Sequence, residues 1–271
     1  MGALKAAGIN AASITYDSRE ILTGFSEAYK IEYPLLSDAG SKVIRAFGVL
    51  NTNIPEDHKM MYGMAFPGDY LLSPDGIVRD KRFLPNYEYR PSATALALRN
   101  SHGAAAMNSV EIDAGAFSAK VTLSTDRAFP GQELATALLI RLKPGWHIYG
   151  KPLPSNYRPT ELIFEGPIVG EQSIELPPAK PMLLKALGET LPVYEGEVSA
   201  TGRLGIKWSP PMPVKFMEPF GKTIPPGPYK IGGTLRFQAC SDTVCEPPQA
   251  IKFELPFELE AGVSSVPKRP A

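Results

Sequence analysis

Phe237-Gln-Ala-Cys240-Ser-Asp-Thr-Val-Cys245-Glu-Pro-Pro248 holds both cysteines of a 271-residue chain, and the runs on either side of it decide the fold of its half. Tyr229 to Phe237 before it and Ala250 to Leu255 after it are short alternating segments, the pattern of strands with one buried face. The cysteines therefore sit on a turn between strands. Working outward, Phe117 to Leu123, Leu134 to Leu142 and Ser199 to Ile206 repeat the pattern, separated by Pro and Gly clusters. Of the 28 prolines, 22 lie beyond residue 120, where they suit edge strands and turns and forbid long helices. This half is expected to be an all-β sandwich.

The first half is written differently. Ile9 to Tyr16 reads as a buried strand, and Asp17-Ser18 caps a helix from Arg19 to Tyr29 with apolar positions at Ile21, Leu22, Phe25 and Ala28. A second helix is expected from about Gly40 to Phe47. Asp69 to Leu72 and Ile77 to Phe83 form a hairpin across Ser-Pro-Asp-Gly, and Ser92 to Asn100 makes a closing helix. This alternation is α/β. Small residues from Asn100 to Asn108 read as a linker, which divides the chain into domains of 1–103 and 104–271.

Bulk properties exclude several classes of function. Lys plus Arg balances Asp plus Glu at 28 each, so no net field favours nucleic acid or anionic lipid. A hydrophobic share of 44% supplies a core for two domains. Apolar stretches are broken by Gly, Pro or charge well before about 18 residues, so no membrane span is expected. The opening MGALKAAGINAASITYDS lacks the charged start and continuous apolar middle of a signal peptide. His58, His102 and His147 do not fall at zinc-site spacing with the cysteines, and neither phosphate loops nor a Ser-His-Asp order occurs. No metal or other cofactor is expected. His147 is expected to be buried and satisfied by a hydrogen bond.

Gly8-Ile-Asn-Ala-Ala-Ser-Ile-Thr-Tyr-Asp-Ser18, Tyr33-Pro-Leu-Leu-Ser-Asp38, Ile44-Arg-Ala-Phe-Gly48 and Phe66-Pro-Gly-Asp-Tyr-Leu-Leu-Ser-Pro-Asp-Gly76 resemble the peroxiredoxin (AhpC/TSA) branch of the thioredoxin fold. The resemblance implies an incomplete thioredoxin-like domain over roughly the first 100 residues. In that family the reactive cysteine lies at a helix start before this point, where the helix N-terminus favours thiolate. No cysteine occurs before Cys240 here, so either the chain is a piece of a longer protein or this domain persists as a scaffold; the first is expected. By the same resemblance Pro67 is a candidate cis-proline, with Gly68 where Thr is commoner.

From about Asn108 onward, Pro144-Gly-Trp-His-Ile-Tyr149, Pro159-Thr-Glu-Leu162, Val193-Tyr-Glu-Gly196 and the cysteine phrase resemble the N-terminal periplasmic domain of DsbD, the thiol:disulfide interchange protein. The resemblance implies an immunoglobulin-like sandwich in which Cys240 and Cys245 cycle between disulfide and dithiol, with Cys245 the sulfur attacked by partners. It implies thioredoxin-like or membrane disulfide-reductase proteins as those partners, and a periplasmic or otherwise exported location. Tyr194 matches the aromatic of a cap loop over the sulfurs, with Phe237, Asp242 and Glu246 as neighbours of the pair. Two departures bear on partner choice: four residues rather than five separate the cysteines, and Leu191-Pro192-Val193 replace acidic cap residues.

Physical chemistry supports an exchange role independently. Closing so short a loop stabilises by only about 2 kcal/mol in the chain-entropy account, a weak motive for a staple. A pair on a turn can break and re-form with little backbone movement. Asp242 and Glu246 oppose thiolate formation, which guards against promiscuous exchange. A fused thiol source would also serve a peroxide-reducing fold at millimolar effective concentration. Two other readings stand beside this one: a peroxiredoxin-type antioxidant enzyme whose cysteine lies upstream, and a non-catalytic immunoglobulin-like binding module with a structural disulfide.

Overall fold

The computed structural model describes residues 4–5, 7–58, 61–84, 89–91, 108–184, 188–209 and 223–261. The chain divides after residue 102 into two compact units. In the first, β1 (Ser13–Thr15) pairs in parallel with β2 (Leu35–Ser37). The crossover between them is α1 (Arg19–Tyr29), capped by Ser18, whose Oγ accepts from Ile21 N at 3.4 Å, and ended by Lys30 in the left-handed region. The strand expected over Ile9 to Tyr16 is thus reduced to three residues of its C-terminal half, while the helix keeps its expected limits. A second, five-residue helix, α2 (Lys42–Ala46), is held by Asp38, whose carboxylate accepts from Val43 N and Ile44 N at 3.1 and 2.8 Å.

The hairpin follows as β3 (Gly68–Leu72) and β4 (Val78–Phe83), antiparallel across a turn in which Gly76 has φ +82°, a value its lack of a Cβ permits. The short strand β5 (Arg90–Pro91) ends the described part of this unit. The closing helix expected over Ser92 to Asn100 lies outside the described residues, as does most of the expected linker. Pro67 departs from expectation: among the described residues the cis peptide is Lys151–Pro152, so Phe66–Pro67 is trans. Its carbonyl accepts from Leu84 N at 2.8 Å, which extends the β3–β4 ladder by one rung.

The second unit is all β. Its strands are β6 (Asn108–Asp113), β7 (Phe117–Leu123), β8 (Arg127–Ala128), β9 (Gln132–Leu142), β10 (Trp146–Tyr149), β11 (Glu161–Glu165) and β12 (Val169–Glu175). They continue as β13 (Lys180–Leu184), β14 (Glu189–Tyr194), β15 (Glu197–Ile206), β16 (Gly227–Phe237), β17 (Ala239–Ser241) and β18 (Gln249–Leu259). One sheet runs β12-β15-β9-β7-β6, a second β11-β16-β18-β8, and a third, smaller one β13-β14-β10-β17. Inward residues of the first two sheets interlock in an immunoglobulin-like sandwich core. Phe117 meets Phe237 edge to face at 4.7 Å, and Phe164 meets Phe253 at 6.1 Å. Each alternating run read from the sequence lies within one of these strands.

Candidate redox site

The third sheet positions the cysteines. β10 lies at its middle, pairing Tyr149 with Val193 and Ile148 with Tyr194 on one side, and His147 with Cys240 and Ile148 with Ala239 on the other. Directly opposed residues of antiparallel strands project to the same face, and neighbours along a strand to opposite faces. Ile148, Tyr194 and Ala239 therefore point into the sandwich core, where all three are buried. His147, Tyr149, Val193 and Cys240 share the other face. A second, small apolar cluster forms there from Tyr149, Leu184, Leu191, Val193 and Cys240, with Leu153, Tyr157 and Met182 packed on it.

Cys240 and Cys245 are joined in a disulfide and also face each other as an antiparallel bridge. Ser241 shapes the turn between them: its Oγ accepts from Thr243 N and Val244 N at 3.3 and 3.1 Å, and its own N–H donates to Val244 O at 2.7 Å. Glu246 N donates to Ala239 O at 2.9 Å and closes the hairpin. The two sulfurs have unlike surroundings. Cys240 is 0% exposed, whereas Cys245 is an exposed residue beside Val244, itself 53% exposed.

A tyrosine joins them. Tyr149 Oη lies 3.1 Å from Cys240 Sγ and 3.7 Å from Cys245 Sγ. Disulfide sulfurs carry no proton, so the phenol is the donor. Burial, aided by Tyr157 and Glu189, pushes the Tyr149 phenol above its ordinary range, which keeps it protonated at neutral pH. Behind it the Tyr157 ring lies 5.3 Å away, and Tyr157 Oη donates to Glu189 Oε2 at 3.2 Å. His147 meets Tyr149 edge to face at 5.9 Å.

The residues expected from the sequence are placed as follows. Cys240 and Cys245 come together, with Phe237 0% exposed in the core beneath them and Asp242 exposed on the turn. The Glu246 carboxylate accepts from Gln249 Nε2 at 2.8 Å. Tyr194 is not a lid over the sulfurs: strand alternation puts its ring on the core face, and its hydroxyl donates to Pro177 O at 2.7 Å. Leu153 and Tyr157, in the segment between β10 and β11, pack instead with Met182 of β13 on the apolar cluster that contains Cys240. Gln238 ties that segment down, its Oε1 accepting from Arg158 N and its Nε2 donating to Glu246 O, both at 3.2 Å. His147 is 3% exposed as expected, but its Nε2 is buried without a hydrogen-bond partner among the described residues.

Tyr149, Tyr157 and Gln238 join the site without a role expected for them from the sequence. Tyr149 was within reach, since it stands two residues after His147 on one short strand. Its partner in space is 91 positions away, a distance that no local pattern spans.

Chemically, the arrangement is a disulfide between an exposed and a buried cysteine. The buried one has a hydrogen-bond donor ready for the charge its sulfur acquires on leaving. No group of three or more His, Cys, Asp or Glu side chains gathers to hold a metal among the described residues. No helix among them is long and apolar enough to cross a membrane.

Residues 1–81 match the AhpC/TSA family, and residues 119–256 match the family described as thiol:disulfide interchange protein DsbD, N-terminal. Among solved structures, the N-terminal periplasmic domain of ScsB from Proteus mirabilis aligns at 16% identity and a TM-score of 0.40, over 57% of this chain and 52% of that one. The alignment thus spans about half the length of that relative. No curated protein matches the chain. With just over half of its length in the match, and both cysteines inside it, the chain belongs to the DsbD N-terminal family and carries an AhpC/TSA-type segment ahead of that domain.

Proposed function

We propose that this protein is a thiol-disulfide oxidoreductase, in which the domain of residues 104–271 carries two electrons at a time between thioredoxin-like or membrane disulfide-reductase partners through Cys240 and Cys245. The observation that carries this reading is the asymmetry of the pair: an exposed Cys245 and a buried Cys240 whose sulfur accepts a hydrogen bond from Tyr149. An inert staple has no need of a donor on one sulfur.

The exchange runs in two displacements. A partner thiolate attacks Cys245 Sγ, the bond to Cys240 breaks, and its electron pair stays on Cys240 Sγ while Cys245 and the partner share a mixed disulfide. Tyr149 Oη, already 3.1 Å from Cys240 Sγ, stabilises the departing thiolate as a charge-assisted donor worth about 1.5–3 kcal/mol. The partner's second thiolate then attacks its own sulfur in the mixed disulfide, and Cys245 leaves into solvent, where it takes a proton. The partner departs oxidised and the domain reduced; the reverse sequence returns the electrons. Exposed Val244 offers apolar contact beside the attacked sulfur, while Asp242 on the same turn biases against acidic partners.

An oxidising, exported location follows from this chemistry and from the family's periplasmic setting, and is part of the proposal. The domain of residues 1–103 is proposed to be the thioredoxin-like companion that the redox domain serves. The deciding experiment equilibrates the protein in graded thiol buffers and counts free thiols by alkylation and mass. A reduction potential above about −250 mV identifies a working exchange couple; one below about −300 mV identifies a structural bridge and defeats the proposal. Cys240→Ser should trap a thioredoxin-like partner as a mixed disulfide on Cys245.

A further inference from the structure

His147 is a buried titratable group that the exchange scheme leaves unused. It is the direct cross-strand partner of Cys240, so the two side chains leave the sheet on the same face with Cβ atoms about 4.5–5.5 Å apart. It is 3% exposed, and its Nε2 lies buried with no hydrogen-bond partner among the described residues. An orphaned buried nitrogen costs free energy, and its persistence calls for a state in which it is used.

Reduction creates such a state. When Cys240 leaves Cys245 its sulfur carries a full negative charge in an apolar cluster, and Tyr149 supplies one donor but no counter-charge. We infer that His147 is the charge-balancing residue of the couple: its Nε2 takes up a proton as Cys240 becomes a thiolate, so that reduction of the disulfide is accompanied by formation of a buried imidazolium–thiolate pair. This inference deepens the exchange reading and rests on it for its biological meaning.

The step balances. The attacking thiol of the partner has lost its proton to solvent on ionising; one proton from solvent arrives on His147, and the electron pair of the broken S–S bond resides on Cys240 Sγ. When the second displacement is complete, Cys245 has taken up a second proton at the surface. The groups facing His147 are Tyr149 on its own strand, Cys240 and Asp242 on β17 and its turn, and Glu195 in the turn after β14. Burial holds the imidazole below its ordinary range in the disulfide form, with Glu195 and Asp242 pulling the other way. A thiolate at Cys240 adds a closer negative charge and raises it further.

The test follows the His147 ring resonances through a pH titration of the whole chain, oxidised and then reduced with dithiothreitol. A midpoint higher by about one pH unit in the reduced protein is expected. His147→Gln keeps a polar side chain but cannot protonate. Its Cys240 thiolate, followed by ultraviolet absorbance, should titrate about one unit higher than in the parent. Its equilibrium constant for reduction should fall about tenfold, equivalent to about 30 mV. A purely structural role would shift the melting temperature of His147→Gln and leave the thiolate titration and the reduction equilibrium at their parental values. Equal His147 midpoints in the two redox states, or a parental thiolate titration in His147→Gln, overturn the inference. Because dithiothreitol serves as reductant, failure of thioredoxin-like donors to react would defeat the exchange reading and leave this titration to decide the inference on its own.

Discussion

The sheet made of β13, β14, β10 and β17 has two faces with different duties. On one, Ile148, Tyr194 and Ala239 complete the sandwich core; on the other, His147 and Tyr149 stand beside Cys240 at the candidate redox site. Adjacent residues of one four-residue strand thus serve stability and chemistry in alternation. The pleat allows the cysteine-bearing face to carry a disulfide, a phenol and an imidazole without loosening the core, because neighbouring side chains along a strand project to opposite faces. It also makes the two duties separable by mutation.

Ile148→Ala should give the largest effect and should fall on stability: about 2–5 kcal/mol lost in denaturant unfolding of the oxidised protein. The reduction potential should stay near the parental value, and a large shift in it would break the separation of faces. Next in size, Tyr149→Phe removes the donor to the leaving sulfur. The predicted cost is about 1.5–3 kcal/mol in the exchange step, a roughly ten- to hundredfold slower attack on Cys245 measured by stopped-flow with a reduced thioredoxin-like protein. Its neighbour across the sheet gives the contrast. Tyr194→Phe loses only the hydrogen bond to Pro177 O, about 1 kcal/mol of stability, and should exchange at the parental rate. A slowed rate there would restore Tyr194 as a cap. Smallest of all, Asp242→Asn on the exposed turn should change the rate by less than about threefold, and the change should fade as salt is raised.

Legibility followed the same division. The sandwich could be read because its strands alternate and its turns are marked by Gly and Pro, and the cysteine phrase announced the site. α1 was readable to the residue from Ser18 and the apolar spacing of Ile21, Leu22 and Phe25. In the first unit, however, the strand expected over Ile9 to Tyr16 shrinks to three residues, with Ile14 42% exposed and Leu36 opposite it 49% exposed. An apolar run predicts burial only where a partner element covers it, and among the described residues β1 pairs with β2 alone. Tyr194 failed for a related reason. Its neighbourhood in sequence matched a cap, but whether a residue faces core or cysteine depends on register, and register between β14, β10 and β17 is set by contacts far apart in the chain. The same non-local pairing hid the place of Tyr149 at the sulfurs and left the His147 Nε2 without a hydrogen-bond partner among the described residues.

The Ser241 turn has a kinetic consequence. Its two hydrogen bonds to Ser241 Oγ and the backbone bridge between positions 240 and 245 owe nothing to the sulfur–sulfur bond, so the hairpin persists when that bond opens. In the proposed exchange, each mixed disulfide on Cys245 therefore forms within reach of a waiting Cys240, and two nucleophiles compete for it. If Cys240 returns first the partner is released unchanged; if the partner's own second thiol arrives first, electrons are delivered. The turn thus sets a clock on every encounter, and only partners whose second thiol is already in place when they dock can beat it.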